Sequence, residues 1–411
     1  MLSPYRVLDL TDERGFLCAK ILGDLGADVI KIEQPGGDPS RGIGPFYHDI
    51  PHSERSLYWF AYNANKRGIT LNIKTPQGKE ILKQLVKRAH FIVESFTPGY
   101  LDNLKLGYKA LNEINPQIIL TSITPFGQTG PHSKYKASDI VTVAASGLMY
   151  LCGDPDRPPV HTSFPQSYLH AGAEAAAGTM IAHYYRELSG EGQWVDVSIQ
   201  ESILGATMNA PSFWDLNQVI LERAGSFRVG LSSQARQRLI WECKDGYVAF
   251  GIFGGAFGAP TNRALVKWMD SEGMASQDLL MMDWESFDMA TATQQQFDHF
   301  AQPISKFFLL HSKRELYHGA IDRGIMLCPV ATIEDIVDDP QLRARDFWEE
   351  VEHAEVGTAI TYPGAFIKPS DMCVKIRRRA PMVGEHNEEI YGGELGLSEQ
   401  ELAHLRQDRV I

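Results

Sequence analysis

Between Pro165 and Gln193 the chain reads PQSYLHAGAEAAAGTMIAHYYRELSGEGQ. Gly172, Ala173, Ala175, Ala176, Ala177 and Gly178 leave one segment of this expected helix almost without side chains, so another backbone or a thin ligand can lie against it. Arg186 to Gln193 reads as a polar helix end and a glycine turn. It delivers the chain into Trp194-Val195-Asp196-Val197-Ser198-Ile199, an alternating strand. The chemistry is expected at the start of that helix.

The same exchange of helix and strand recurs upstream. Arg6 to Leu10 predicts a strand, Gly15 to Leu25 a helix, and Asp28 to Glu33 a buried strand. A second unit follows: strand Ile69 to Ile73, a helix with Thr75 as N-cap and Pro76 at its first position, and strand Phe91 to Phe96. A short helix over Tyr108 to Ile114 leads to strand Ile118 to Ile123, and another helix is expected from Ser138 to Leu151. Such alternation implies a doubly wound α/β layer with a parallel sheet. A helical stretch to about Asn217, then a strand pair from Trp241 to Phe253 turned by Lys244-Asp245-Gly246, places the start of a smaller domain near residue 225. The tail from Arg343 to Ile411 mixes strands and loops and is expected to return to the first domain.

Composition narrows the function. A chain of 411 residues, 44% hydrophobic and 22% charged, has enough length for two domains with real cores. A net charge of −12 argues against a general nucleic-acid surface, so an anionic ligand needs a local basic patch. Cys18, Cys152, Cys243, Cys328 and Cys373 are scattered without CxxC spacing, which suggests neither a zinc site nor a disulfide framework. No window has the run of about 18 apolar residues that a membrane span needs, and MLSPYRVLDL is not a secretory leader. These features read as a cytoplasmic protein that uses no metal.

Several ordered blocks resemble the class III CoA-transferases, the CaiB/BaiF family. They include GDLGADVIKIEQPGGDPSR from Gly23, NKRGITLNIKTPQGKEIL from Asn65, VESFTPGYLDNLKLGY from Val93, FGQTGP from Phe126, SDIVTVAASGLM from Ser138, RELSGEGQWVDVSIQES from Arg186 and APMVGEHNEEI from Ala380. The resemblance covers nearly the whole chain. It implies a large α/β domain formed by both chain ends, 1–224 and 331–411, a smaller α+β domain inserted at 225–330, and two subunits interlocked like links.

It also implies which positions carry the chemistry. In the family's transferases an aspartate attacks the acyl-CoA, forms a mixed anhydride, and is displaced in turn by the acceptor acid. Counting back from GEGQ, that aspartate falls on Tyr168. No acid occurs between Asp156 and Glu174. A phenol, with an ordinary pKa of about 10, cannot exchange an acyl group as a carboxylate does. The histidine of the family's racemase branch is Ser138 here. Asp139 matches a common family acid and reads as a helix-start residue. His170, two residues past Tyr168, is retained as a pocket candidate, while His132, His161 and His183 read as surface or packed histidines. By resemblance Leu71, Lys74 and Phe96 occupy CoA-contact positions, with Arg41, Lys66 and Arg67 as further basic candidates. Gln34 and Asn103 stand where basic residues are expected. Thr11-Asp12-Glu13-Arg14-Gly15 replaces a glycine-proline lead-in, and Gly251 to Gly258 resembles a mobile loop.

The leading expectation is a subunit that handles acyl-CoA and a carboxylic acid while a homologous catalytic subunit supplies the aspartate, with a homodimer as the other assembly. The alternatives are an acyl-CoA isomerase, dehydratase or lyase using Tyr168, Asp139 or His170 as acid or base, and a non-catalytic acyl-CoA-binding protein.

Overall fold

The computed structural model describes residues 1–230 and 235–411. The alternating pattern folds into β1 (Arg6–Leu10), α1 (Phe16–Asp24), β2 (Asp28–Glu33), α2 (Leu57–Asn63), β3 (Lys66–Thr70), α3 (Pro76–Val86) and β4 (Phe91–Glu94). It continues with α4 (Tyr100–Asn103), α5 (Tyr108–Ile114), β5 (Ile119–Thr124), α6 (Asp139–Ala145), α7 (Gln166–Ser189) and β6 (Trp194–Ser198). The six strands form one sheet in the order β3-β2-β1-β4-β5-β6, and every neighbouring pair is parallel. Growth of the sheet therefore reverses between β1 and β4, leaving a crevice beyond the carboxyl ends of those two strands.

Alternation of side chains across the pleat builds a core on each face. Leu8, Ile30 and Ile92 pack into one cluster with Ile81, Leu85 and Leu402. Their neighbours Val7, Val29 and Phe91 face the other cluster, with Cys18, Leu22, Ala171 and Ala175. The bare face of α7 is thus a packing surface: a Cβ on Gly172 would lie 2.8 Å from Leu17 Cβ and 3.3 Å from the Cys18 nitrogen. Of the two occupants that small residues allow, the α1 backbone is the one present.

Local signals set the helix ends. Thr75 Oγ1 accepts the Gly78 N–H at 3.0 Å with Pro76 at the first position of α3, and α7 stops at Gly190, whose φ of 77° suits glycine. Three expectations are corrected. β3 begins at Lys66, earlier than the apolar run at Ile69, because Lys66 and Arg67 are buried. α6 ends at Ala145, with Gly147 turning at φ 85° before a separate 3-10 turn at Met149–Leu151. The Gly251 to Gly258 stretch is only half loop, since a helix Gly255–Ser271 begins inside it and Gly258 packs against the Phe253 carbonyl.

Two compact units divide the chain. The first comprises Met1–Met149, His161–Gln218 and Pro340–Ile411. Its last segment is tied to β3 and the following loop: Arg67 Nη1 reaches Glu389 at 2.6 Å and Glu394 at 2.7 Å, Asn387 Oδ1 accepts the Thr70 N–H, and Asn72 N–H donates to the Val410 carbonyl at 2.7 Å. The second comprises Tyr150–Val160 and Val219–Asp339. There, strands Ile240–Cys243, Gly246–Phe250 and Leu327–Pro329 pair antiparallel over a core of Trp241, Trp284, Phe300 and Phe308. Among the described residues no helix is long and apolar enough to cross a membrane.

Candidate active site

A cavity of about 570 Å³ opens at the carboxyl ends of β1 to β4, where the strand order reverses. Thr11 to Glu13 line it after β1, Glu33 to Pro35 around the end of β2, Leu71 to Lys74 after β3, and Ser95 and Phe96 after β4. The three positions that the resemblance assigns to CoA contact, Leu71, Lys74 and Phe96, therefore meet in one cavity. The Phe96 ring lies tilted against Tyr100, centroids 4.6 Å apart, and Tyr100 also lines the cavity. Leu71 is buried while Lys74 is exposed, so one wall is apolar and one edge cationic.

Arg41 is not among the lining residues, which corrects its reading as a ligand contact. Its guanidinium clamps Glu33 through Nε at 2.7 Å and Nη2 at 2.8 Å, bonds Glu54 through Nη1 at 2.8 Å, and lies 3.8 Å from the Trp59 ring. Lys66 and Arg67 are corrected in the same way. Lys66 Nζ is fully buried and bonds Asp9, Asn63 and the Phe16 carbonyl. Against the cost of burial, Lys31 and Lys66 hold the Asp9 carboxyl below its usual range. Arg67 is held by Asp28, Glu389 and Glu394. These cations neutralise carboxylates inside the fold and have no charge left for a ligand.

The start of α7 is built differently. Pro165 precedes the helix and offers no side-chain cap. Asp139, at the first position of α6, fills that role from outside: its Oδ1 accepts the Ser167 N–H at 2.9 Å and the Ser167 hydroxyl at 2.5 Å. Ser167 Oγ also lies 2.8 Å from Thr142 Oγ1. Asp139 Oδ2 meets His161 Nε2 at 2.6 Å. Asp139 thus starts one helix and holds the first turn of another, more than the single helix-dipole role read from its sequence position.

Tyr168 occupies the third position of α7 and is 8% exposed. Its hydroxyl makes no hydrogen bond to any described residue. Burial, reinforced by the nearby Glu13 carboxylate, pushes its pKa up to about 12. The phenol is neutral at any physiological pH. On the loop facing it, Arg14 pairs with Asp12 through Nη2 at 2.5 Å, and Ser95 Oγ bonds Asp12 at 2.8 Å. His170 is half-buried and makes no hydrogen bond or ion pair to a described residue.

Sequence reasoning missed two participants. In sequence His161 reads as a surface or packed histidine, and only the fold brings it to Asp139. Arg409 lines the cavity from near the end of the described chain, with no motif to flag it. Among the described residues, no group of three or more His, Cys, Asp or Glu side chains has the geometry to hold a metal ion.

The model of CoA-transferase family III matches residues 2–387. The chain is 36% identical over 389 residues to the succinyl-CoA:(R)-benzylsuccinate CoA-transferase subunit BbsE of Thauera aromatica, covering 94% of this chain and 93% of that protein. It is 33% identical to a formyl-CoA:oxalate CoA-transferase of Streptomyces coelicolor, covering 100% of this chain and 99% of that one. A crystal structure of a CAIB/BAIF family protein from Brucella suis superposes with a TM-score of 0.81 at 26% identity, over 95% of this chain and 98% of that one. A parallel six-stranded sheet with its cavity at the strand reversal, matched along nearly its whole length by proteins that transfer CoA, places this chain in CoA-transferase family III as a transferase.

Proposed function

We propose that this chain is one subunit of a CoA-transferase that moves CoA between carboxylic acids, and that the acyl-carrying aspartate comes from a homologous partner subunit. The observation that carries this reading is Tyr168. The first turn of α7 holds a neutral, buried phenol where the family chemistry calls for an ionised carboxylate. Asp139, the carboxylate bonded to that turn, is spent on Ser167 and His161. The acyl-CoA is seated in the cavity at the strand reversal, with Leu71 and Phe96 against its apolar parts and Lys74 against phosphate charge. Identity with the benzylsuccinate relative supports succinyl-CoA as donor and an aromatic succinate as acceptor.

A partner subunit also fits the surface of α7. Ile181, Tyr184 and Leu188 are 71%, 69% and 71% exposed and recur at helical spacing along one face. An apolar stripe of this kind is expected to be covered by another subunit. Two relatives carry the word subunit in their names, the Thauera protein and the beta subunit of a succinyl-CoA–L-malate CoA-transferase from Chloroflexus aurantiacus. An interlocked pair, with the segment near 225–330 as a smaller inserted domain, accommodates both observations.

Expression of this chain alone and with an aspartate-bearing homologue tests the proposal. CoA transfer from succinyl-CoA to benzylsuccinate is expected only for the pair, with hydroxylamine-trapped adduct on the partner. Transfer by this chain alone, with the adduct on its own side chain, overturns it. A second reading, acid-base handling of an acyl-CoA without an anhydride, is favoured by the Asp139–His161 contact alone. It requires turnover by the isolated chain that is lost in His161→Ala.

A further inference from the structure

We propose that Arg409 is a phosphate-binding residue of the cavity at the strand reversal, acting together with Lys74. The inference rests on the reading that this cavity takes a CoA ester, and it assigns a residue that no sequence block marks.

The argument is a balance of charge. Carboxylates line the cavity at Asp12, Glu13, Glu33 and Asp38. Three of them have cations of the fold beside them: Arg14 for Asp12, Arg41 for Glu33, and Lys31, 3.8 Å away, for Asp38. Glu13 accepts the Ser40 hydroxyl at 2.6 Å. A ligand bearing phosphates therefore finds no free positive charge near the sheet and must be met elsewhere. Lys74 and Arg409 are the lining cations, both exposed. Among the described residues, neither side chain has a hydrogen-bond or ion-pair partner.

Arg409 is also held in position. Its φ of 54° turns the chain so that Val410 and Ile411, 1% and 7% exposed, enter the core beneath it. Its own N–H donates to the Arg406 carbonyl at 3.0 Å, and the Val410 carbonyl accepts the Asn72 N–H at 2.7 Å. The loop that carries Lys74 and the turn that carries Arg409 are thus bonded together, so the two cations share one rim. A non-glycine residue in the left-handed region is uncommon, and here it aims a guanidinium suited to phosphate at a rim that lacks other free charge.

Isothermal titration of the purified protein, alone and with its partner, tests this with CoA, 3′-dephospho-CoA and pantetheine. Arg409→Ala is expected to weaken CoA binding about tenfold, the scale of one charge-assisted hydrogen bond, with Arg409→Lys in between and pantetheine binding unchanged. If the penalty disappears with 3′-dephospho-CoA, the bound group is the 3′-phosphate; if it persists, the diphosphate. Thermal unfolding of Arg409→Ala should match wild type, since the side chain has no internal partner. Equal CoA affinity of Arg409→Ala and wild type, or an equal loss with pantetheine, overturns the inference while leaving the cavity's ligand in place. Absence of CoA binding by wild type in either form overturns both.

Discussion

Asp139 Oδ1 accepts both the backbone N–H and the hydroxyl of Ser167, at 2.9 and 2.5 Å, so the first residue of α6 caps the first turn of α7 across a gap of 28 positions. The bond is buried and charge-assisted, and it fixes where Tyr168 sits. Removing the carboxylate in Asp139→Ala leaves the Ser167 N–H without a partner and is expected to cost about 2–3 kcal/mol. Ser167→Ala should cost about 1 kcal/mol. Because the two residues act on one bond set, the double variant should lose less than the sum. Urea unfolding of the four proteins checks this, and strict additivity would mean that Asp139 acts elsewhere.

Tyr168 tests whether the phenol has any chemical part. Its hydroxyl bonds nothing among the described residues, and its pKa of about 12 keeps it neutral. Tyr168→Phe should therefore change stability by no more than about 0.5 kcal/mol and leave the assembled transferase within roughly twofold of wild type. A hundredfold fall in kcat with unchanged unfolding would give the phenol an acid-base role and favour the reading without an anhydride.

Much of the first unit was legible because its signals are local. Thr75-Pro76 starts α3 as its side-chain and backbone chemistry requires, and the alternation in Val7-Leu8 or Phe91-Ile92 divides the two cores residue by residue. What was hidden depends on partners far away in sequence. Lys66 looks like a solvated charge until Asp9, 57 positions distant, lies 2.8 Å from it. Arg67 likewise meets Glu389 from 322 positions away. The same holds for the site: Leu71, Lys74 and Phe96 sit in motif blocks close to strand ends. Arg409 reaches the cavity only because Val410 and Ile411 are drawn into the core. His161 meets Asp139 by the path of the chain after α6, which periodicity does not encode.

Glu94 gives the fold a pH dependence of predictable sign. It ends β4, is 5% exposed, and accepts the Phe96 N–H at 2.7 Å. Burial nevertheless pushes its carboxyl from 4.5 up to about 7. The native state then binds more protons than the unfolded state between those two values, so stability falls as pH rises through the window and is lowest above it. The full effect is about 3 kcal/mol at 1.36 kcal/mol per unit. Glu94→Gln, which cannot ionise, should match wild type near pH 4.5 and exceed it in stability above pH 7. A difference between the two that stays constant from pH 4.5 to 8 would exclude Glu94 as the source.

Two glycines of α7 should respond in opposite directions to the same substitution. Gly172 faces α1, where an added Cβ lies 2.8 Å from Leu17 Cβ, an atom that no side-chain rotation can move away. Gly178 is half-buried, and its added Cβ meets only Val195 Cγ1, at 3.2 Å, which a small shift relieves. Alanine in a helix interior gains about 1 kcal/mol over glycine at either site. At Gly172 overpacking of about 1–3 kcal/mol outweighs that gain, so Gly172→Ala should be destabilising by about 1 kcal/mol. Gly178→Ala should be neutral or stabilising by about 0.5 kcal/mol. Denaturant midpoints of the two variants decide the matter. Two stabilised proteins would mean that α1 and α7 are not in close backbone contact, and that the bare face is free for a ligand after all.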